Sequence, residues 1–250
     1  MSRPSKSSVP RPRRGGTADA ALLSVPSLEE RRAFTSTDPW RVLRIVGEFV
    51  AGFEEMADVQ AAVTIFGSAR LPETDRWYQA ARETARLLGK EGFSIITGGG
   101  PGIMEAANRG ARDAEALSIG LNIELPQEQH PNPYIDRGID FRYFFVRKTM
   151  FVKYSSAFVV FPGGFGTLDE MFESLTLIQT GKIEHFKVVL MSRNYWAPLL
   201  DWLRSRVAGE GKISPEDLQL LEVTDDPCEA VRLVVESEIR AGRRTAALPR

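Results

Sequence analysis

The stretch "FPGGFGTLDE", Phe161 to Glu170, sets three glycines ahead of acidic residues, and an Arg147-Lys148 pair lies upstream of it in "FFVRKTMFVKYS". A glycine-rich turn at a helix start can take up an anion. Its free N–H groups and the positive end of the helix dipole point outward, and glycine leaves φ > 0 and close backbone approach open. Arg147 and Lys148 either form a solvated pair or face an anionic substrate. In a first helical turn their charge opposes the macrodipole by about 0.3–1 kcal/mol each, so a compensating group is expected. Asp169, Glu170 and Glu173 offer capping or catalysis: Thr167-x-x-Glu170 fits a capping box, which accounts for Glu170 with no chemistry at all.

Two further turns carry the same signature. "GSAR" (67–70) and "TGGGPGIMEAANRGA" (97–111) each follow an apolar β-favouring run. Three such turns at one edge point to a phosphate-bearing ligand. Neither dinucleotide nor triphosphate fingerprints fit: Ile103 and Asp169 stand where G-x-G-x-x-G needs its last glycine, and no GKS or GKT occurs. A monophosphate is the better-supported ligand.

The elements that must hold these turns are legible as an alternation. "AVTIFG", "FSIIT", "LSIGLNI", "FRYFF", "AFVVF" and "KVVLM" read as strands, with helices over 75–91, 101–115, 146–155, 167–180 and 195–207 and a last one in "DDPCEAVRLVVESEI". Near-continuous apolar strands between helices predict an α/β fold, a doubly wound, Rossmann-like parallel sheet whose ligands bind beyond the carboxyl ends of the strands. A disordered basic tail is expected over 1–26, a helical extension over 27–58, one Rossmann-like domain over 59–241, and a fraying tail over 242–250. Within the extension, Trp40, Leu43, Val46, Phe49, Val50 and Phe53 form an apolar stripe that predicts either core or subunit interface.

Composition narrows the classes. The 250 residues carry a net charge of -1, with 43% hydrophobic and 26% charged residues, which suits one soluble domain and gives no general reason to expect nucleic acid as a partner. No apolar run reaches membrane-spanning length and no signal segment is apparent, so neither membrane nor secretion is expected and the site of action is read as cytoplasmic. A single cysteine, Cys228, and two distant histidines, His130 and His185, lack metal-ligand spacing; no metal and no cofactor are expected.

"GGGPGIMEAANRGA", the Arg147-Lys148 pair and above all "PGGFGTLDE" resemble the LONELY GUY (LOG) family of cytokinin-activating phosphoribohydrolases, whose signature is PGGxGTxxE with an upstream Arg-Lys pair. The resemblance runs from about Val63 to Val235. An older family label, "lysine decarboxylase", has no support here, since no motif identifies a pyridoxal-phosphate lysine. The "IMEAANRGA" wording and the N-terminal extension are similar to the longer-chain branch, which implies a homo-oligomer, a dimer at least or a hexamer.

The resemblance implies hydrolysis of a small-molecule nucleoside 5′-monophosphate, an N6-substituted AMP or AMP itself, to free base and ribose 5-phosphate. It makes Glu170 catalytic, with Arg147 orienting the ribose and Glu170. Gly163, Gly164, Gly166 and Thr167 would hold the 5′-phosphate; Lys148 and Met104 would line the site; Glu105 and Glu173 would touch sugar or base. Ser68, Gly99 and Gly100, on the other two turns, complete the expected substrate-binding set. Two other classes stay open: a nucleosidase acting broadly on nucleotide 5′-monophosphates, and a non-catalytic molybdenum-cofactor carrier with the same fold and a related glycine-rich loop.

Overall fold

Short runs of β-branched and aromatic residues supply the strands: β1 Ala62–Phe66, β2 Ser94–Thr97, β3 Ser118–Ile123, β4 Arg137–Phe141, β5 Ala157–Val160, β6 Lys187–Met191 and β7 Leu221–Thr224. In the computed structural model, which describes residues 17–23, 38–125, 130–183 and 186–243, they form one sheet in the order β4-β3-β2-β1-β5-β6-β7. Every neighbouring pair is parallel. The helices are α1 Ala18–Leu23, α2 Asp38–Glu55, α3 Arg76–Lys90, α4 Ile103–Asp113, α5 Phe144–Tyr154, α6 Phe165–Gln179, α7 Arg193–Trp202 and α8 Pro227–Arg240.

Successive strand residues feed opposite faces. Val63 and Ile65 join Ile95, Val159 and Val189 beneath α3, α4 and α8. Ala62 and Phe66 join Ile96, Phe158 and Val188 beneath α5, α6 and α7. This is the expected doubly wound, Rossmann-like architecture in a single domain. Strand order reverses between β1 and β5, so the chain leaves a crevice beyond their carboxyl ends.

Two strands differ from the sequence reading. Of "FRYFF" only Phe141 is in β4; Phe144 and Phe145 already belong to α5. β4 sits at the sheet edge, where Arg137, Gly138 and Asp140 are tolerated because only Ile139 and Phe141 are buried. β7 escaped notice because four residues containing Glu222 and Thr224 show no apolar run.

The N-terminal segments also differ from a plain tail. Residues 18–23, expected to be disordered, form α1, with Ala18 and Leu22 packed on the core cluster that holds Phe66 and Phe158. The Asp19 carboxylate accepts the Phe144 N–H at 3.1 Å, and Glu48 on α2 accepts the N–H groups of Arg142 and Tyr143 at 3.1 and 3.0 Å. Both carboxylates thus meet the start of α5, which carries Arg147 and Lys148, and supply the compensating negative charge that the pair calls for. At the other end, Arg243 lies in the stretch expected to fray, yet it pairs with the buried carboxylate of Glu238. Residues 1–16, 24–37 and 244–250, on which the rest of the expected tails and the start of the expected helical extension fall, lie outside the described residues. No helix among the described residues is long and apolar enough to cross a membrane.

Candidate active site

The three glycine-rich turns meet at the crevice. The Ser68 N–H donates to the Pro162 carbonyl at 2.9 Å and the Ser68 carbonyl accepts the Ile103 N–H at 3.0 Å, so the turn after β1 is tied to the turns before α6 and α4. Gly102 makes the second tie sterically specific: its φ is +70°, and a Cβ there would overlap the Ser68 carbonyl oxygen. The turn at 98–102 is also held from behind. Asn132 donates to the carbonyls of Gly99 and Gly100 and to Oδ1 of Asn108, while Thr97 Oγ1 and Ser118 Oγ complete a buried network.

Between the turns lies a cleft of about 660 Å³ with Ser68, Arg70, Gly98, Met104, Arg147, Gly164, Gly166, Thr167 and Glu170 on its walls and the rings of Phe66, Phe144, Phe151 and Phe165 among them. A second cavity of about 560 Å³ shares Gly98, Ile123 and Leu125 with it and is bordered by Gly99, Gly100, Asn122 and Asp140.

The capping-box reading of Thr167 and Glu170 does not hold. α6 begins at Phe165 with Gly164 at its cap, so Thr167 and Glu170 both stand inside the helix, turned inward and buried. Nor do the glycines of this turn use a left-handed backbone: φ at Gly164 is -91°, and the left-handed glycines of the site are Gly99 and Gly102. What Gly164 and Gly166 contribute is bare backbone. A Cβ at either would meet no atom within 4 Å. Gly163 is different, since a Cβ there would strike the Thr167 side chain.

Glu170 is 4% exposed, and its Oε1 lies 4.0 Å from Nη2 of Arg147. Burial pushes the Glu170 carboxyl up to about 7; the charges of Lys148 and Arg147 work against that rise. Arg147 is packed between aromatic rings, its guanidinium carbon 5.1 Å from the Phe144 centroid and 5.4 Å from that of Phe151. Burial draws the pKa of Arg147 below its ordinary value despite the pull of Glu170. Among the described residues, two buried side-chain polar atoms lack a hydrogen-bond partner: Arg147 Nε and Glu170 Oε2. Orphaned buried polar atoms are rare and cluster where a ligand is to be met.

The remaining expected residues divide. Ser68, Met104, Gly164, Gly166 and Thr167 share the cleft with Glu170 and Arg147. Gly99 and Gly100 border the second cavity. Lys148 lies beside the cleft, bound to Asp169 at 2.8 Å and Glu173 at 2.5 Å, so Glu173 faces a lysine. Burial tends to lower the Lys148 pKa, and its two acidic partners more than offset this, holding it above the ordinary value. Glu105 accepts a hydrogen bond from Tyr78 at 3.0 Å and is not on the cleft wall. Gly163 receives the Tyr195 hydroxyl on its carbonyl at 2.7 Å.

The sequence reading passed over Arg70 and the aromatic wall. Phe144 and Phe151 stand three residues before and four after Arg147 on α5, a spacing that places all three on one helix face. That signal was available.

Residues 104–234, more than half of the chain, match the family described as "Possible lysine decarboxylase". The chain belongs to this family. Its relatives carry names that agree with the LOG resemblance of the motif. A "Cytokinin riboside 5′-monophosphate phosphoribohydrolase" of Rhodococcoides fascians is 27% identical over 62% of this chain and 79% of its own length. A "Pyrimidine/purine nucleotide 5′-monophosphate nucleosidase" of Escherichia coli is 30% identical over 46% of this chain, a match spanning 27% of that longer protein. Among solved structures, the molybdenum cofactor carrier protein of Chlamydomonas reinhardtii aligns over 72% of this chain and 99% of its own, with a TM-score of 0.55 and 20% identity, a likeness of fold.

Proposed function

We propose that this LOG-family protein is a phosphoribohydrolase that cleaves the N-glycosidic bond of nucleoside 5′-monophosphates, N6-substituted adenosine monophosphates and AMP among them, to free base and ribose 5-phosphate. One observation carries the reading: a buried Glu170 with an unpartnered carboxylate oxygen stands about one and a half turns from the bare N-terminus of α6, within the wall of a ligand-sized cleft.

Breaking a glycosidic bond builds positive charge on the ribose. A carboxylate set beside C1′ stabilises that oxocarbenium-like state and can orient or deprotonate water. Glu170 takes this part. The first N–H groups of α6, opened by Gly164 and Gly166, together with the Thr167 hydroxyl, receive the 5′-phosphate, with Ser68 facing them. Arg147 holds Glu170 and directs a donor at the ribose. Met104 and the phenylalanine wall give the base an apolar bed. No cofactor or metal is needed for these steps.

The E. coli relative's name supports a second reading of substrate breadth, in which pyrimidine nucleotides serve as well. Purified protein incubated with AMP, isopentenyladenosine monophosphate, CMP and isopentenyladenosine, with released base quantified, tests both. Base released from the monophosphates and far less from the nucleoside is expected. Comparable turnover of CMP selects the broad nucleosidase, and no release from any selects the carrier class.

The protein acts in the cytoplasm as a homo-oligomer, a dimer at least or a hexamer. Support for association comes from α2, whose Leu43, Val46, Val50 and Phe53 stay exposed outside the α/β alternation. A monomer by light scattering at micromolar concentration would refute it.

A further inference from the structure

We infer that Arg70 is the phosphate-recognising cation of this site, the residue that selects 5′-phosphorylated substrates over their nucleosides. The inference rests on the proposed placement of the 5′-phosphate at the start of α6.

Charge around that placement is unfavourable without it. α6 brings Asp169, Glu170 and Glu173 to the region, and α5 brings Arg147 and Lys148. Both α5 cations already face carboxylates: Arg147 stands 4.0 Å from Glu170 with its free Nε assigned to the ribose, and Lys148 bridges Asp169 and Glu173. A phosphate dianion added here meets one more carboxylate than cation. Helix N–H groups offset part of this with a partial charge near half a unit, which leaves a demand for one unengaged cation.

Arg70 meets that demand. It is exposed, it lies on the wall of the same cleft as Gly164, Gly166 and Thr167, and among the described residues no carboxylate lies within ion-pair distance of its guanidinium. Its turn is fixed on the phosphate side: Ser68 N–H donates to the Pro162 carbonyl at 2.9 Å, and Ser68 Oγ accepts the Arg70 N–H at 3.1 Å. A planar fork of donors on a turn anchored to the phosphate-binding turn suits a phosphate better than a sugar hydroxyl or a base.

The test uses the full chain with Arg70→Gln and Arg70→Lys. AMP and adenosine are titrated calorimetrically into each, and kcat and KM are measured on AMP. Arg70→Gln should weaken AMP binding and raise its KM by roughly 10–100-fold, as expected for loss of a charge-assisted hydrogen bond, with kcat changed far less and adenosine binding unchanged. Arg70→Lys should recover part of the loss. Folding is checked by the melting temperature, and the exposed position predicts that both variants melt as wild type does. A wild type that binds AMP and an Arg70→Gln variant that binds it equally well overturn the role of Arg70 alone. A wild type that binds AMP no better than adenosine overturns the phosphate placement itself, and this inference with it.

Discussion

Glu170 Oε1 and Arg147 Nη2 lie 4.0 Å apart in a buried setting, each residue keeping one polar atom, Oε2 and Nε, without a hydrogen-bond partner. A pair built only for stability would close to hydrogen-bond distance, because a buried charge left half satisfied is costly. The loose contact leaves both groups free to engage a substrate. Glu170→Gln keeps the shape and removes the charge; kcat should fall by roughly 10²–10⁴-fold while the protein stays folded. Asp169→Asn, on an exposed position next in the chain, should cost much less. Steady-state kinetics with melting curves on both variants checks the contrast, and a folded Glu170→Gln enzyme with more than about a tenth of wild-type kcat would leave the carboxylate without a catalytic role.

The carboxyl of Glu170, pushed by burial from 4.5 up to about 7, gives activity and stability opposite pH dependences. As the ionised form does the chemistry, kcat/KM should rise with pH through about 7, above the second ionisation of the substrate phosphate near roughly 6. For stability the sign reverses. Between 4.5 and about 7 the native state binds the proton that the unfolded chain has released, so the contribution is full below 4.5 and is lost as pH rises towards about 7. Melting temperatures of wild type and Glu170→Gln across pH 4–8 should diverge in that window, wild type losing stability relative to the variant as pH rises. Parallel curves would contradict the raised value.

Gly164→Val separates folding from binding. The backbone there, with φ at -91°, lies outside the left-handed region that favours glycine, and a Cβ meets no atom within 4 Å, so the variant should fold. Its side chain would shield the first N–H groups of α6. AMP binding should be lost, read by calorimetry on the folded variant; an unchanged affinity would move the phosphate elsewhere.

The extension before β1 should matter to the site through Glu48. Its carboxylate caps the start of α5, and replacing such a cap costs typically about 1 kcal/mol. Arg147 rides on that helix. Glu48→Ala should therefore lower the melting temperature modestly and, by shifting Arg147, reduce kcat by roughly 10-fold or more. A variant less stable but fully active would make the cap structural alone.

The parallel, doubly wound class and the meeting of three turns were readable because apolar strands and glycine runs are local signals. Other features were not local. The edge strand β4 hides behind charged residues that an edge tolerates, and the inward turn of Thr167 and Glu170 depends on α6 starting three residues earlier than a capping box requires. The caps on α5 join Asp19 and Glu48 to residues about a hundred positions away, a pairing that only the fold brings about. Arg70 sat in a turn already singled out, but its freedom from carboxylates is a property of its surroundings.

Lys148 and Glu173 were expected to touch substrate, and their mutual ion pair suggests a different way to test them. After burial, the charge of Lys148 is the largest influence on Glu170, pulling its carboxyl down, whereas Glu173 pushes it up. Lys148→Met should shift the acid limb of the kcat/KM profile to higher pH, because the remaining environment favours protonated Glu170 more strongly. Glu173→Gln should move the limb the other way, both by removing a like charge and by releasing Lys148 from one of its two acidic partners. Measuring the whole profile distinguishes this from substrate contact: a lost contact lowers kcat/KM equally at every pH and leaves the limb in place, while altered electrostatics moves the limb and lets the plateau at high pH recover. Two variants shifting in opposite directions would establish the Lys148–Glu173 pair as the setting of the Glu170 carboxyl, and a fixed limb in both would return them to the substrate-binding wall.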